Sequence, residues 1–171
     1  MVNNFKIYKN FNLSKKDKGA IILIGNFDGL HLGHQKLFKL AKKYKKRYSS
    51  KIGVLTFEPM PKMFFNSKLK NFRLSNLNQK IENLSKLNVD FVIIKKFNHK
   101  FSKTKSISFI KETLGKRINP KFIFVSNNFK FGNKREGDVK QLVKYEKLCK
   151  YKIIKPQPLS IKKQVISSSL L

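Results

Sequence analysis

The sequence predicts an α/β domain, a parallel sheet of about five strands with helices on both faces. Two observations carry this. Apolar runs of strand length alternate with segments of helical periodicity along the chain. The runs are apolar nearly throughout, not at every second residue, which is the pattern of strands buried on both sides. A length of 171 residues, with an apolar fraction of 40% and 16 Phe, suffices for one domain with a substantial core.

The first strand is Ala20–Gly25, an unbroken Ala-Ile-Ile-Leu-Ile run ending in glycine. A helix from about Gly33 to Tyr48 follows, because Leu37, Leu40, Ala41, Tyr44 and Tyr48 keep helical spacing. The second strand, Ile52–Phe57, stops at Glu58-Pro59-Met60-Pro61, where two prolines predict an extended, rigid loop. Leu77, Ile81, Leu84 and Leu87 share one face of a helix over Asn76–Leu87, with Ser75 as its N-cap. Phe91–Lys95 is the third strand, and Ser106–Leu114 a short helix closed by Gly115. Phe122–Val125 is the fourth strand, Asp138–Lys150 a helix, and Tyr151–Lys155 the fifth strand. Val165-Ile166 suggests a short further strand before a serine-rich turn. The first 19 residues carry no clear signal.

Composition narrows the class. No apolar stretch approaches the length of a membrane span, and the first 19 residues lack the apolar core of a signal peptide. The single Cys149 cannot form an internal disulfide, which fits a soluble protein of a reducing compartment, most simply a cytoplasm. The formal net charge of +30 raises the possibility of a nucleic-acid partner. Against that, Arg47, Arg73, Arg117 and Arg135 are the only arginines, and the lysines are spread along the whole chain. Lys, Asn, Ile and Phe are abundant together, which reads as a compositional bias. The positive field still attracts polyanions such as ATP.

The most informative segment is Gly25–His34, GNFDGLHLGH, lying between the first strand and the first helix. His31 and His34 are three residues apart, so both imidazoles leave the same side of a first helical turn. A helix N-terminus offers free N–H groups and the positive end of a dipole, a seat for phosphate. Gly33 leaves room for a phosphate to approach the backbone. The plainer reading is a turn with two surface histidines. Two of the chain's three histidines fall in this window, the third being His99. In an open parallel sheet, ligands bind beyond the carboxyl ends of the strands. That is where Asn26–His34, Glu58–Phe65, Phe97–Phe101 and Ser126–Arg135 all fall.

GNFDGLHLGHQKL resembles the nucleotide-binding signature of the nucleotidyltransferase superfamily. It is similar in particular to the FMN adenylyltransferase (FAD synthetase) domain of bacterial bifunctional riboflavin kinase/FAD synthetases. Further segments agree in order. Leu55–Pro61 with Phe64-Phe65 resembles the family's TFEPHP…FF, with Met60 in place of the usual His. Leu74-Ser75 through Lys80-Ile81, then Val89-Asp90, resembles its second-helix region. Phe97, Phe101 and Phe109-Ile110 match FxxxF…FI. Asn128–Gly132 with Arg135 and Gly137-Asp138 resembles NFxFGxxRxGD, although Ser126 stands where the family usually has glycine. Ile166–Ser169 resembles ISST.

The resemblance implies a Rossmann-like nucleotidyltransferase fold and transfer of the adenylyl group of ATP to FMN, giving FAD and pyrophosphate. It implies that His31, His34 and Asn128 act on the phosphates, the two histidines stabilising the transition state. Gly25, Asn26, Phe27, Asp28, Gly29 and Gly33 would shape the ATP turn, and Ser168 and Ser169 would bind the triphosphate. Arg135 is either a solvated loop cation or a phosphate partner. Pro59, Pro61, Phe64, Phe65 and Phe131 would wall the flavin, where the plainer reading is core packing. Mg²⁺ is expected with ATP, held mostly by the nucleotide and water, and no protein metal site is expected. In the family an arginine follows the serine segment, and a riboflavin kinase domain is fused. Residues 1–171 therefore read as an adenylyltransferase domain lacking its C-terminal end, with the kinase domain absent. Two other readings stay open: another nucleotidyltransferase of the superfamily, or a basic RNA-binding module.

Overall fold

The computed structural model describes residues 5–66, 68 and 76–155, and the backbone of 160–161 and 164–165. Its centre is a six-stranded, wholly parallel sheet of β1 (Lys6–Tyr8), β2 (Ile21–Ile24), β3 (Ile52–Glu58), β4 (Phe91–Lys96), β5 (Phe122–Phe124) and β8 (Lys152–Ile154), in the order β1-β4-β3-β2-β5-β8. The expectation of about five strands misses β1. Only three residues long and exposed or half-buried, this edge strand lacks the apolar signature that marks the inner ones.

Each inner strand feeds two cores, because successive side chains point to opposite faces. Ile21 and Leu23 pack with Leu37, Phe38 and Ala41 of α1 (Leu32–Tyr48) and Leu84 of α3 (Leu77–Ser85). Ile22 and Ile24 pack on the other face, with Ile110, Leu114 and Ile118 of a π-helix (Phe109–Ile118) and Leu142 of α6 (Val139–Lys144). Double coverage explains the continuous apolar strands.

Several boundaries differ for physical reasons. The π-helix continues α5 (Ser106–Ser108) straight through Gly115 and ends where Asn119 takes a left-handed conformation at φ 49°. Asparagine serves there as glycine would. A Cβ on Gly115 would lie 3.1 Å from Cys149 Sγ, so this glycine is a packing contact, not a helix stop. The N-cap of α3 is Asn76, which forms a reciprocal capping box with Gln79; Ser75 lies outside the described residues. The Pro59/Pro61 segment is not wholly extended. Pro61 opens a one-turn helix, α2 (Pro61–Phe65), at the first position, where the missing N–H costs nothing. The Glu58–Pro59 peptide is cis.

The remaining elements are short: α4 (His99–Ser102), a hairpin of β6 (Lys130–Phe131) with β7 (Gly137–Asp138), α7 (Glu146–Cys149), and a pair β9 (Ser160–Ile161) with β10 (Gln164–Val165). The expected single helix over Asp138–Lys150 is two, α6 and α7, divided at Tyr145. Among the described residues no helix is long and apolar enough to cross a membrane.

Candidate nucleotide site at the carboxyl ends of the strands

From β2 the chain runs outward through β3 to β4 on one side, then crosses back to β5 on the other side of β2. The carboxyl end of β2 is therefore the topological switch point, where this class of sheet opens a crevice. Gly25–His31 fills that end. Phe27 adopts φ 51°, which folds its ring back over Gly25, where a Cβ would stand 3.1 Å from the ring. Gly25 thus has a packing role in the turn. The Phe27 ring, 2% exposed, then meets Phe38 edge-on at 5.2 Å and His34 at 5.1 Å. An apolar anchor so seats the polar turn on α1. Gly29 and Leu30 also take positive φ, 76° and 40°. Asn26 and Gly29 are exposed, and Asp28 is half-buried.

His31 is the N-cap of α1, its Nδ1 accepting from the Gly33 N–H at 3.1 Å. That bond assigns the proton of the neutral ring to Nε2. The His31 and His34 rings stack at 3.7 Å with 24° between planes, so the expected common orientation is present. His31 Nε2 and His34 Nδ1 are buried without a hydrogen-bond partner. Each such atom costs about 1–3 kcal/mol until something pairs with it. Burial holds the His31 imidazole below its ordinary value. His34 is pushed down to about 4 by burial first and then by the charge of His31, with Asp28 opposing and Lys80 adding. At neutral pH the ligand-free pair is uncharged.

Around this pair the other strand ends bring two further groups. Beyond β5, Ser126 donates its hydroxyl to Asn128 Oδ1 at 2.8 Å. The Ser126 departure from the family pattern therefore steadies an exposed amide and leaves its N–H donors uncommitted by that bond. Arg135 is exposed and in the left-handed region at φ 57°. A Cβ on Gly132 would lie 2.8 Å from the Ser106 Cα, so the glycine lets the β6–β7 hairpin pack on α5. Phe131 is buried, stacked on Phe129 at 5.4 Å and beside Phe109 at 5.5 Å, as part of the core.

Beyond β3 and β4 lies an aromatic group. Phe64 meets Phe65 at 5.2 Å and Phe97 at 5.2 Å, and Phe97 meets Phe65 at 5.7 Å and Phe101 at 5.7 Å. Phe65 is 67% exposed, an unusual state for so large an apolar ring. Phe97 falls in a segment the sequence places beyond a strand end, but it was not among the residues assigned to the flavin wall. Pro59 and Pro61 flank this group through the cis peptide and the start of α2. Ser168 and Ser169 lie outside the described residues.

The sequence reading also missed Lys80, which is 1% exposed and hydrogen-bonded to Thr56 Oγ1 at 3.3 Å. A signal existed. Lys80 follows Leu77 by three and precedes Leu84 by four, so it stands on the apolar stripe of α3.

A family model described as FAD synthetase matches residues 13–170. The chain belongs to the FAD synthetase family. Family relatives named bifunctional riboflavin kinase/FMN adenylyltransferase agree. That of Buchnera aphidicola subsp. Schizaphis graminum is 35% identical over 92% of this chain and 51% of its own length. The Haemophilus influenzae relative is 37% identical over 77% of this chain and 42% of its own, and that of Escherichia coli K12 34% over 74% and 41%. The chain spans about half the length of the curated relatives it matches. Among solved structures, a Streptococcus pneumoniae chain titled macrolide-efflux protein superposes with a TM-score of 0.80 at 24% identity, covering 97% of this chain and 54% of that one. A pantoate-beta-alanine ligase from Francisella tularensis, complexed with Beta-gamma ATP and Beta-alanine, gives 0.57 at 19%, covering 92% and 69%. These two likenesses concern the fold alone.

Proposed function

We propose that this FAD synthetase-family chain transfers the adenylyl group of ATP to FMN, releasing pyrophosphate. The observation that carries the reading is the stacked pair of neutral histidines at the N-terminus of α1, each with a buried ring nitrogen that lacks a partner. The FMN phosphate oxygen attacks the α-phosphorus of ATP in line. A P–O bond forms there as the bond to the β-phosphate oxygen breaks, and pyrophosphate carries the electrons away. The nucleophile is already an anion, so positioning and charge stabilisation do most of the work.

In this reading His31 offers Nε2–H to a phosphate oxygen, and His34 lies against it on the same anion. Asn128 holds a phosphate oxygen through its amide. Asn26, Phe27, Asp28, Gly29 and Gly33 shape the nucleotide turn, and Arg135 and the Ser168–Ser169 segment complete the triphosphate contacts. Pro59, Pro61, Phe64 and Phe65, with Phe97 and the deeper Phe131, make the flavin side. The half-open aromatic group supports this, because a flat tricyclic ring seeks such faces. Mg²⁺ enters as part of the nucleotide substrate. We also propose a cytoplasmic location, supported by the single cysteine, and the fused riboflavin kinase that the relatives' names print.

The test is FAD formation from FMN, ATP and Mg²⁺, using the protein with any residues its gene encodes after Leu171. FAD with stoichiometric pyrophosphate is expected. ATP binding with no FAD and no quenching of FMN fluorescence would transfer the reading to another nucleotidyl acceptor.

A further inference from the structure

Lys80 is a buried charge without a role in the reaction as written above. An ammonium leaves water only where strong interactions replace hydration, so a lysine 1% exposed in the middle of α3 needs a reason. Its Nζ donates to Thr56 Oγ1 at 3.3 Å. Thr56 is fully buried near the carboxyl end of β3, and its hydroxyl donates to the Asn26 carbonyl at 3.4 Å. The chain of contacts runs from α3 across β3 into the second residue of the Gly25–His34 turn.

We propose that Lys80 is a positioning residue for the paired histidines, holding the Asn26 carbonyl through Thr56 and so fixing the turn that stacks His31 on His34. The route makes physical sense because the turn holds an uncommon backbone conformation that its neighbours must support. Phe27, Gly29 and Leu30 all have positive φ, and for Phe27 and Leu30 the surroundings must impose it. Phe27 supplies the apolar half of that restraint and Lys80 with Thr56 the polar half. The charge has a second effect. His34 is faced by His31 on its own helix, Asp28 from the turn and Lys80 from α3, and the Lys80 charge opposes its protonation. Lys80 thus helps keep His34 neutral until an anion arrives.

This inference rests on the nucleotidyl-transfer reading only in its kinetic arm. The experiment compares the protein, with any residues its gene encodes after Leu171, with its Lys80→Met, Lys80→Arg and Thr56→Val variants and the control Lys86→Met, whose parent lysine is exposed and pairs with Glu82. Imidazole NMR follows the three histidines. In Lys80→Met the His34 midpoint is expected to rise only a little above about 4, because burial and His31 are the larger causes, while Lys86→Met leaves it in place. Turnover is expected to fall about tenfold to a hundredfold at unchanged KM for ATP, the range seen when groups that orient metal-bound imidazoles are removed. Thr56→Val should lower turnover without the rise in the His34 midpoint, and Lys80→Arg should keep the low midpoint. Wild-type His31 and His34 imidazole chemical shifts in folded Lys80→Met, the mark of an undisturbed ring stack, overturn the proposal. If Lys80→Met does not fold, wild-type turnover in folded Thr56→Val overturns it instead. Should the wild-type chain form no FAD, the NMR arm still decides the arrangement, and the substrate reading fails separately.

Discussion

Two polar clusters are buried at opposite ends of β2, and they differ in one respect. Before the strand, Asp17 is 4% exposed and fully engaged: it accepts from Tyr8, from Ser14 at 3.2 Å and from Lys51 at 2.9 Å, with Lys6 at 3.7 Å. Beyond the strand, the stacked His31 and His34 retain buried ring nitrogens that lack partners. Buried polar groups in a folded chain are nearly always satisfied; among the described residues the exceptions are Gln141 Oε1 and these two ring nitrogens, of which the ring nitrogens stand together at a helix N-terminus. The Asp17 cluster ties the N-terminal segment to the sheet. The histidine pair carries a cost within the fold that a phosphate would relieve.

Substitution should separate the two. His31→Ala is expected to lower FAD formation about a hundredfold or more, as loss of a transition-state hydrogen-bond donor does, with little change in unfolding temperature. Asp17→Asn should do the reverse, costing about 2–3 kcal/mol in denaturant unfolding while the folded fraction keeps its turnover. An Asp17→Asn protein of normal stability and low activity would erase the contrast.

The pH dependence sharpens it. His34 has its folded value lowered from 6.5 to about 4, so the unfolded chain binds the extra proton between those values. Its contribution is complete above pH 6.5 and is lost as pH falls toward 4; a His34→Gln variant should lack that decline in urea titrations. For Asp17, burial alone would raise the carboxyl, but hydrogen bonds from Tyr8 and Lys51 and the Lys51 charge hold it below its ordinary 3.8. Its contribution is therefore present above 3.8 and lost only as pH falls further. ATP should narrow the histidine window by raising the titration midpoints of His31 and His34, since an adjacent anion favours the charged ring. NMR midpoints that ignore ATP would remove the pair from the phosphate site.

Two smaller effects test contacts that are purely structural. Gly132→Ala should cost about 2 kcal/mol with turnover retained, because φ is 81° and the new Cβ would meet Ser106. Tyr8→Phe should cost about 1 kcal/mol, by calorimetry, through the hydrogen bond lost to Asp17.

Much of the site was legible because its signals are local. GNFDGLHLGH needs only a strand before it and a helix after it, and the i,i+3 spacing already puts both imidazoles on one side. Apolar runs marked the inner strands because burial on two faces leaves no polar alternation. β1 stayed hidden because it is short and half-solvated, and the β6–β7 hairpin because two-residue strands carry no periodicity. Gly115 looked like a stop glycine, yet its neighbour Cys149 is more than 20 residues away in sequence, as Ser106 is from Gly132.

The sequence by itself determined the α/β class, the succession of inner strands, and the histidine turn with its family, since each depends on residues a few positions apart. Only the tertiary structure decided which nitrogens of His31 and His34 are left without partners, that both rings are held neutral, and that Lys80 reaches the turn through Thr56. Those properties depend on desolvation and on contacts spanning tens of residues, which chain order does not display until the sheet brings its carboxyl ends together.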